Sequence, residues 1–355
     1  MYNVQRQNEI TYFMLALHIL QHGPGRCFCS AFFTVRILYG GKMDNNFKYS
    51  DDNKRYHTWN YHLRHKFGGK VMKIALNAGF TCPNIDGTKG TGGCTYCSSS
   101  GSGDFAGDPK ESLLKQFDTI LSVMHRKWKT ASMYIPYFQA HTNTYAPLEY
   151  LKSCFEPFTE TEGVVGIDIA TRADCLPDDV LDYLEDLNSR CELTVELGLQ
   201  TIFDKTGERI NRCMTYDEFL HGYNALKERR IKVCVHLIDG LPGETADMML
   251  ESAKTVGALR PDFLKIHLLH VISGTRLADE YARGEFKVLE MDEYIDILIR
   301  QLEVIPKETV MQRLTGDGAR STLTAPLWSI KKFEVLNEID RQLEIRNTYQ
   351  GRLFK

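Results

Sequence analysis

The sequence has little that would direct the chain to a membrane or hold it on nucleic acid by charge alone. Its 355 residues include no run of 18 or more apolar residues, so no membrane-spanning helix is predicted. The formal net charge of −3 excludes nucleic-acid binding through the overall charge, although a local basic patch remains possible. Repeats and low-complexity linkers are also absent. We therefore expect one globular domain with extensions.

The ten cysteines do not form the pattern of a disulfide framework. Seven of them are scattered, and several lie in apolar stretches where a free thiol behaves as a small buried hydrophobic group. This usage indicates a reducing compartment, and we expect a cytoplasmic location. The other three, Cys82, Cys94 and Cys97, lie in one glycine-rich segment with the spacing C-x11-C-x2-C and need a separate explanation.

The first 42 residues differ in character from the rest of the chain. They contain the apolar run ITYFMLALHIL and a second apolar segment that carries Arg36 in its middle. A signal peptide is a poorer interpretation, because Arg6 is the only basic residue before the run and no A-x-A site follows. Met43 opens a hydrophilic stretch. We interpret it as the natural start and residues 1–42 as a non-native or disordered extension.

From residue 71 onward, short apolar runs alternate with longer amphipathic stretches. The runs are nearly continuous in apolar character, which predicts strands that are buried on both faces. They cover residues 71–77, 131–138, 164–169, 193–199, 231–238 and 263–269. Helices are predicted between them, at residues 177–187, 216–229 and 245–259 and from Asp108 onward, with Asp108 as the N-cap and Pro109 in the first turn.

The alternation predicts an α/β fold with a parallel sheet and right-handed crossovers. A complete eight-unit barrel takes about 250 residues, and only six strands are evident, so we predict a partial (β/α)6 barrel of the TIM type over residues 71–315. A basic and aromatic segment, residues 43–70, precedes it. A C-terminal helical extension, residues 316–355, follows it.

The cysteine segment directly follows the first predicted strand. Chemistry in such folds lies beyond the carboxyl ends of the strands, so Cys82, Cys94 and Cys97 are expected at the functional face. Three interpretations remain open: an iron–sulfur cubane with one iron left for another ligand, a structural zinc site with a fourth ligand elsewhere, and a chance cluster of buried thiols. The cubane is favoured, because no fourth cysteine or histidine stands at a zinc spacing and polar residues surround all three thiols.

The cysteine loop and the β/α pattern together resemble the radical S-adenosylmethionine (SAM) superfamily, and more narrowly its YtqA/YhcC-type members, which are related to the Elongator catalytic subunit. The resemblance covers roughly residues 43–355. The loop departs from the commonest C-x3-C-x2-C motif and matches the longer form of this branch. The resemblance implies one [4Fe-4S] cluster on Cys82, Cys94 and Cys97, with SAM on the open iron. It also implies reductive cleavage of SAM to a 5′-deoxyadenosyl radical that abstracts hydrogen from a substrate.

The resemblance also assigns cofactor contacts to side chains at the strand ends. Tyr96 fits an aromatic residue that family members place near the adenine. Gln139 and Asn143 stand in the segment expected to bind the methionine amino group, although its glycine-glycine-glutamate form is absent. Arg172 is assigned to the methionine carboxylate, which a guanidinium can hold with two hydrogen bonds.

Glu196 and Gln200 occupy one face of an otherwise apolar predicted strand. A buried carboxylate needs partners, and the resemblance suggests ribose hydroxyls or the cofactor amino group. An internal ion pair is the alternative for Glu196. His236, His267 and Arg313 are candidates for substrate contact. For each of the two histidines, a polar group satisfied within the core is the alternative.

The sequence gives less information about the substrate than about the fold or the cofactors. The stretch 54–73 mixes basic and aromatic residues, which can bind single-stranded RNA or can simply cover a barrel end. The resemblance to Elongator favours a tRNA wobble-uridine side chain, without acetyl transfer. It also implies an external reductant such as flavodoxin or ferredoxin.

Two other functions remain open at this point. One is a zinc-binding interaction module built on the three cysteines. The other is a metal-dependent TIM-barrel hydrolase that would use Asp168, Glu196, His236 and His267.

Overall fold

The computed structural model describes residues 47–101, 103–316 and 318–355. The predicted N-terminal extension, residues 1–42, lies outside these described residues. Within them, no helix has both the length and the apolar character needed to cross a membrane.

Seven parallel strands form one sheet, and their order in space is their order along the chain. The first and last strands of this sheet do not pair with each other, so the barrel is partial and open between them. Two further short strands, Val271–Ile272 and Leu323–Ala325, pair antiparallel with each other. The strands are β1 (Val71–Leu76), β2 (Met133–Phe138), β3 (Ile167–Thr171), β4 (Leu193–Gln200), β5 (Lys232–Asp239), β6 (Phe263–Leu268), β7 (Val271–Ile272), β8 (Val310–Arg313) and β9 (Leu323–Ala325).

Helices connect successive strands and pack their apolar faces against the sheet in one main core. They are α1 (Trp59–Phe67), α2 (Leu113–Lys127), α3 (Leu148–Phe155), α4 (Asp178–Arg190), α5 (Asp204–Arg209), α6 (Tyr216–Glu228), α7 (Ala246–Ala258), α8 (Arg276–Ala282), α9 (Met291–Val304) and α10 (Lys332–Ile345). The C-terminal extension is helical as predicted, and Val335, Ile339 and Leu343 of α10 belong to the same core.

All six predicted strands are present, and the predicted class, a partial α/β barrel, is confirmed. The sheet has one strand more than predicted. This strand, β8, escaped prediction because it has only four residues, and two of them, Gln312 and Arg313, are polar.

The predicted start of α2 is wrong. The helix begins at Leu113 with Ser112 as its N-cap. Asp108 instead closes a separate turn, in which its Oδ1 accepts a hydrogen bond from the N–H of Lys110 (3.0 Å) and its carbonyl accepts one from Glu111 (3.0 Å). An aspartate whose side chain accepts from the backbone N–H two residues later forms a turn, and in the sequence it cannot be told from a helix N-cap.

Helix α1 covers the end of the barrel at which the strands begin. Trp59 packs edge-on against Phe263 (5.1 Å between ring centroids) and stacks on His62 (5.7 Å). Lys66 forms an ion pair with Glu192, just before β4. These contacts support the structural interpretation of the basic and aromatic stretch over RNA binding.

The segment before α1 also covers the free edge of β8. The N–H of Met311 donates to the carbonyl of His57 (2.8 Å), and Thr58 bridges to Met311 in parallel. This segment meets the C-terminal part of the chain as well: the N–H of Gln350 donates to the carbonyl of Arg55 (2.9 Å), and its side-chain Oε1 accepts from the N–H of His57 (2.8 Å). Two distant parts of the chain therefore lie side by side.

Candidate functional site

A cavity of about 850 Å³ opens at the carboxyl ends of the strands and reaches into the barrel. Alternation along β4 shows how the sequence builds it. Val195 and Leu197 pack in the main core, whereas Glu196, Gly198 and Gln200 line the cavity. The predicted shared face of Glu196 and Gln200 is therefore observed.

The three cysteines of the loop line this cavity together, and we call this part the sulfur end. The hydroxyl of Thr142 donates to Cys82 Sγ (3.0 Å), and the amide of Asn84 donates to Cys94 Sγ (3.3 Å). A hydrogen bond from the Cys97 thiol, assisted by the Asn84 amide, lowers the pKa of Cys94 to about 6. The loop thus presents sulfur atoms to which hydrogen-bond donors are already directed.

The spacing of the sulfur atoms does not fit a zinc ion. A zinc ion with thiolates at about 2.3 Å brings its sulfur ligands to about 3.8 Å from one another. Among the described residues, one group of three side chains has its possible metal-binding atoms all within 4.8 Å, and that group is Glu196, Cys234 and His236. The three loop cysteines do not form such a group, so at least one pair of their sulfur atoms is farther apart than that, and the zinc module is not supported.

His141 lies beside the sulfur atoms and was not predicted from the sequence as a site residue. Its Nδ1 lies 3.9 Å from Cys82 Sγ, and burial lowers its pKa. The signal was present in the sequence, because His141 comes shortly after the carboxyl end of β2. Its ring faces the cavity, and its backbone adopts a left-handed conformation (φ 60°), which residue spacing does not reveal.

Arg172 lines the cavity, but its guanidinium already has protein partners. It forms a two-point ion pair with Asp174 (2.9 and 2.8 Å) and donates to the carbonyl groups of Arg212 (2.6 Å) and Cys213 (2.9 Å). Two of these four hydrogen bonds, those to Arg212 and Cys213, tie the end of β3 to the loop after α5. The predicted contact with the methionine carboxylate is therefore not supported, and the geometry indicates a positioning role.

Three of the other predicted cofactor residues, Tyr96, Gln139 and Gln200, line the cavity. Asn143 does not. It is fully buried and donates from its side chain to the carbonyl of Ala170 (2.8 Å). Asn143 thus holds the loop after β2 against β3, and the prediction that it contacts the cofactor is not supported.

Deeper in the barrel, Glu196 lies at the centre of a charged cluster. Its carboxylate accepts from Lys73 Nζ (2.5 Å), Lys265 Nζ (2.5 Å) and His236 Nε2 (2.8 Å), and Lys73 also pairs with Asp168. Burial alone would raise the pKa of Glu196, but the two ammonium groups hold it well below the ordinary value. The internal ion pair that was the alternative for Glu196 is therefore present.

The same cluster counts against the metal-dependent hydrolase. Glu196 and His236 belong to the one compact group of possible ligands, but two ammonium groups already neutralise Glu196. A second cation in this position would be repelled by Lys73 and Lys265. Neither lysine was singled out in the sequence. Both stand in the middle of apolar strands, which is the signal that identified Glu196.

The three candidate substrate residues, His236, His267 and Arg313, all line the deep part of the cavity. The rings of the two histidines are 5.3 Å apart. Burial, with Lys265 as the next cause, lowers the pKa of His236 to about 4. Burial, followed by His236 and Arg313, also lowers the pKa of His267. Both imidazoles are therefore neutral near pH 7.

An open parallel barrel that carries three cysteines in the loop after its first strand, all facing one cavity, defines an enzyme of the cluster-binding radical SAM class. The Radical SAM superfamily model matches residues 85–256, and the Radical_SAM C-terminal domain model matches residues 261–345. The first match includes Cys94 and Cys97 and begins just after Cys82.

Relatives that match most of the chain include two bacterial proteins. The sequence is 51% identical to YtqA of Bacillus subtilis (strain 168) over 314 residues, which are 88% of this chain and 97% of that protein. It is 36% identical to YhcC of Escherichia coli (strain K12) over 282 residues, which are 79% of this chain and 90% of that protein. The chain belongs to the radical SAM superfamily and is a YtqA/YhcC-type protein related to Elongator. The family implies a [4Fe-4S] cluster and SAM as cofactors.

A solved structure shares the fold. Elp3 of Methanocaldococcus infernus with an N-terminal deletion superposes with a TM-score of 0.59 at 18% identity, over 79% of this chain and 64% of that one. The chain thus spans less than two thirds of that structure. At this identity the similarity shows the fold alone.

Proposed function

We propose that Cys82, Cys94 and Cys97 hold a single [4Fe-4S] cluster and leave its fourth iron open for SAM. The observation that carries the proposal is the presence of all three sulfur atoms on one cavity wall, at the carboxyl ends of the strands. The donor set fits the group, because Thr142 and Asn84 direct hydrogen bonds at two of the sulfur atoms. Such donors stabilise thiolate ligands and orient them.

The bound cluster would supply the electron that cleaves SAM to methionine and a 5′-deoxyadenosyl radical. The chain's own residues then have to bind and orient the cofactor and keep water from it. Tyr96, Gln139 and Gln200 line the cavity and are the side chains we propose for cofactor contact. Arg172 supports this end of the cavity through its ion pair with Asp174. The electron would come from an external reductant, a flavodoxin or a ferredoxin.

For the substrate we propose the side chain of a tRNA wobble uridine. The support is a similarity of 32% identity over 126 residues to a Methanocaldococcus jannaschii protein named tRNA uridine(34) acetyltransferase, which covers 35% of this chain and 23% of that one. The polar deep part of the cavity, with Arg313 and two neutral histidines, suits a polar target. The proposal carries over the uridine target and not the acetyl transfer.

Anaerobic reconstitution tests the cofactor part. We expect about four iron atoms and four sulfides for each chain, and 5′-deoxyadenosine when SAM and a reductant are added. Cys94→Ser should abolish both. Cys191→Ser is the matched control, because Cys191 lies at the end of α4, away from the cavity, and should change neither. Equal iron content in the two variants would refute the assignment.

Nucleoside analysis tests the substrate part. Mass spectrometry of tRNA from cells that lack the gene should show loss of one modified uridine and accumulation of its precursor. Expression of the intact chain should restore the modification, and expression of the Cys94→Ser variant should not. An unchanged nucleoside profile would remove the tRNA hypothesis without affecting the cofactor assignment.

A further inference from the structure

We propose that Asn211, in the loop after α5, is a positioning residue for the proposed cluster, and that it acts by holding Cys94 in place. The inference rests on the proposed function, because it takes Cys94 as a cluster ligand. Asn211 was not among the site residues predicted from the sequence, and it does not line the cavity. Its effect on the cluster therefore has to pass through the residues that it contacts.

The segment 210–213 meets the cysteine loop through its backbone carbonyl groups. The carbonyl of Ile210 accepts from the N–H of Thr95 (2.9 Å), which directly follows the second cysteine of the loop. The carbonyl of Asn211 accepts from the side-chain amide of Asn84 (3.0 Å). Two successive carbonyl groups of this segment therefore hold two different parts of the cysteine loop.

Two residues of the same segment have a left-handed backbone, which is uncommon outside glycine. Asn211 has φ 55° and Cys213 has φ 52°. Asparagine tolerates this conformation, whereas a cysteine seldom adopts it, and such residues persist where the surrounding contacts require them. The contacts here include the carbonyls of Arg212 and Cys213, which both accept from Arg172 (2.6 and 2.9 Å). The segment is thus fixed between the end of β3 and the cysteine loop.

The carbonyl of Asn211 orients an amide group that contacts Cys94. The Asn84 amide donates one hydrogen bond to this carbonyl (3.0 Å) and another to Cys94 Sγ (3.3 Å). The two N–H groups of a planar amide point in fixed directions, so the bond to the carbonyl also sets the direction of the bond to sulfur. Asn84 is buried, so water does not compete for these bonds. This is one route from Asn211 to Cys94.

The side chain of Asn211 provides a second route. Its amide donates to the carbonyls of Thr91 (3.1 Å) and Gly93 (2.7 Å). Gly93 directly precedes Cys94, so the hydrogen bond to its carbonyl fixes the plane of the peptide group that joins the two residues. Gly92 and Gly93 are both left-handed (φ 77° and 68°), a conformation that glycine adopts without steric cost. Hydrogen bonds therefore have to hold this part of the loop.

Arg276, the first residue of α8, donates to the same carbonyl. Its Nη2 lies 2.5 Å from the oxygen of Gly93. A carbonyl oxygen has two lone pairs and can accept from both the Asn211 amide and the Arg276 guanidinium. We therefore expect the loss of Arg276 to act on Cys94 in the same direction as the loss of the Asn211 amide.

Iron release from the reconstituted full-length protein tests the proposal. Asn211→Gly keeps the left-handed backbone and the carbonyl that accepts from Asn84, and removes the side-chain amide. We expect this variant to lose iron to an excess of chelator about 10–100 times faster than the wild type, because a group that orients a metal ligand is removed. The electron paramagnetic resonance spectrum of the reduced cluster should change as well. A general loss of stability would not alter that spectrum.

Asn347→Gly is the matched control. Asn347 also has a left-handed backbone (φ 46°), and its side-chain oxygen accepts from Arg55 (3.1 Å), outside the cavity. This variant should release iron at the wild-type rate and show the wild-type spectrum. Thermal melting of the iron-free proteins shows whether both variants fold.

Two further variants separate the hydrogen bonds from the volume of the side chain, and they keep the test decisive if Asn211→Gly does not fold. Asn211→Asp keeps the size but places carboxylate oxygens opposite two carbonyl groups, so iron release should again be faster. Arg276→Met removes the guanidinium from an exposed position and should act in the same direction. Arg283→Met, directly after the same helix and paired with Glu285, should have no effect.

Wild-type rates of iron release in the variants of Asn211 and Arg276 would overturn the inference, and so would an equal acceleration in Asn347→Gly. Iron and sulfide are measured on the wild type in the same preparations. A wild type that holds iron, with variants that release it no faster, refutes this inference alone. A wild type without iron refutes the proposed function and, with it, the role given to Asn211.

Discussion

Glu196 Oε2 and Lys265 Nζ lie 2.5 Å apart in the interior of the barrel, on strands that are not neighbours in the sheet. The contact therefore crosses the barrel lumen. A buried carboxylate that accepts from two ammonium groups is a fixed part of the structure, and its loss leaves both cations without compensation.

Glu196→Gln should therefore destabilise the fold strongly. The glutamine keeps the shape of the side chain but leaves Lys73 and Lys265 buried with one carboxylate between them. We expect a loss of about 3–5 kcal/mol in the free energy of unfolding, measured by urea denaturation. Glu149→Gln, at an exposed pair with Lys152, should cost less than about 1 kcal/mol. Similar losses in the two variants would contradict the central role of Glu196.

Asp239 should make the stability of the protein depend on pH. Burial raises its pKa from 3.8 to about 7, and its Oδ1 accepts from Gln301 Nε2 (2.8 Å). Between these two pH values the folded state binds more protons than the unfolded state. The contribution of Asp239 to the free energy of unfolding is therefore fully present below about pH 4 and is lost as the pH rises to 7.

Asp239→Asn should remove this dependence. We expect the variant to be more stable than the wild type above pH 7 by roughly 2–4 kcal/mol, with the difference shrinking toward pH 4. Denaturation at a series of pH values measures it. Asp247→Asn, at an exposed position on α7, should follow the wild-type curve. A constant difference across the range would show that Asp239 does not titrate in this window.

Thr142→Val should change the cluster rather than the fold. The variant loses the hydroxyl that donates to Cys82 Sγ (3.0 Å). Hydrogen bonds to ligand sulfur favour the reduced cluster, so the midpoint potential should fall by roughly 20–60 mV, which corresponds to one hydrogen bond. A redox titration followed by electron paramagnetic resonance measures the potential.

Thr144→Val is the matched control for Thr142→Val. Its hydroxyl bonds to the carbonyl of Cys175 (2.6 Å) and to Thr171 (2.6 Å), and to none of the three loop cysteines. Its loss should leave the potential unchanged. If both variants shift the potential equally, the effect comes from the loop as a whole and not from the hydrogen bond to sulfur.

Trp59→Ala should test the role of α1. The indole packs on Phe263 and His62 at the end of the barrel, and we expect a loss of roughly 2–4 kcal/mol in the free energy of unfolding. Arg64→Ala, at an exposed position on the same helix, should leave stability within about 0.5 kcal/mol of the wild type. If α1 covers the barrel end and is no RNA surface, Arg64→Ala should also leave tRNA affinity unchanged, which a filter-binding assay would show.

The parts of the fold that a regular period defines could be predicted from the sequence. Strands such as β4 and β5, buried on both faces, read as continuous apolar runs. Strand β8 could not, because it has only four residues and two of them are polar side chains that face a cavity. The true start of α2 was hidden by the turn at Asp108.

Some features of the site could likewise be predicted from the sequence, and others could not. The spacing of the three cysteines identifies the sulfur end directly. The partners of Glu196 and Arg172 do not follow from spacing, because Lys73 and Lys265 reach Glu196 across the lumen. The carbonyl groups of Arg212 and Cys213, which accept from Arg172, come from the loop after α5. Pairing of this kind is decided by tertiary structure, and the sequence shows only that a buried charge needs some partner.

The contact between residues 55–58 and Gln350 has a topological consequence. Because sheet order follows chain order and the two distant segments are already hydrogen-bonded, the described fold is nearly closed as a loop of backbone. A circular permutant that joins these segments through a short linker and opens the chain at an exposed turn would keep every strand neighbour. The termini of the chain could thus be moved to another turn without a change in the order of the strands.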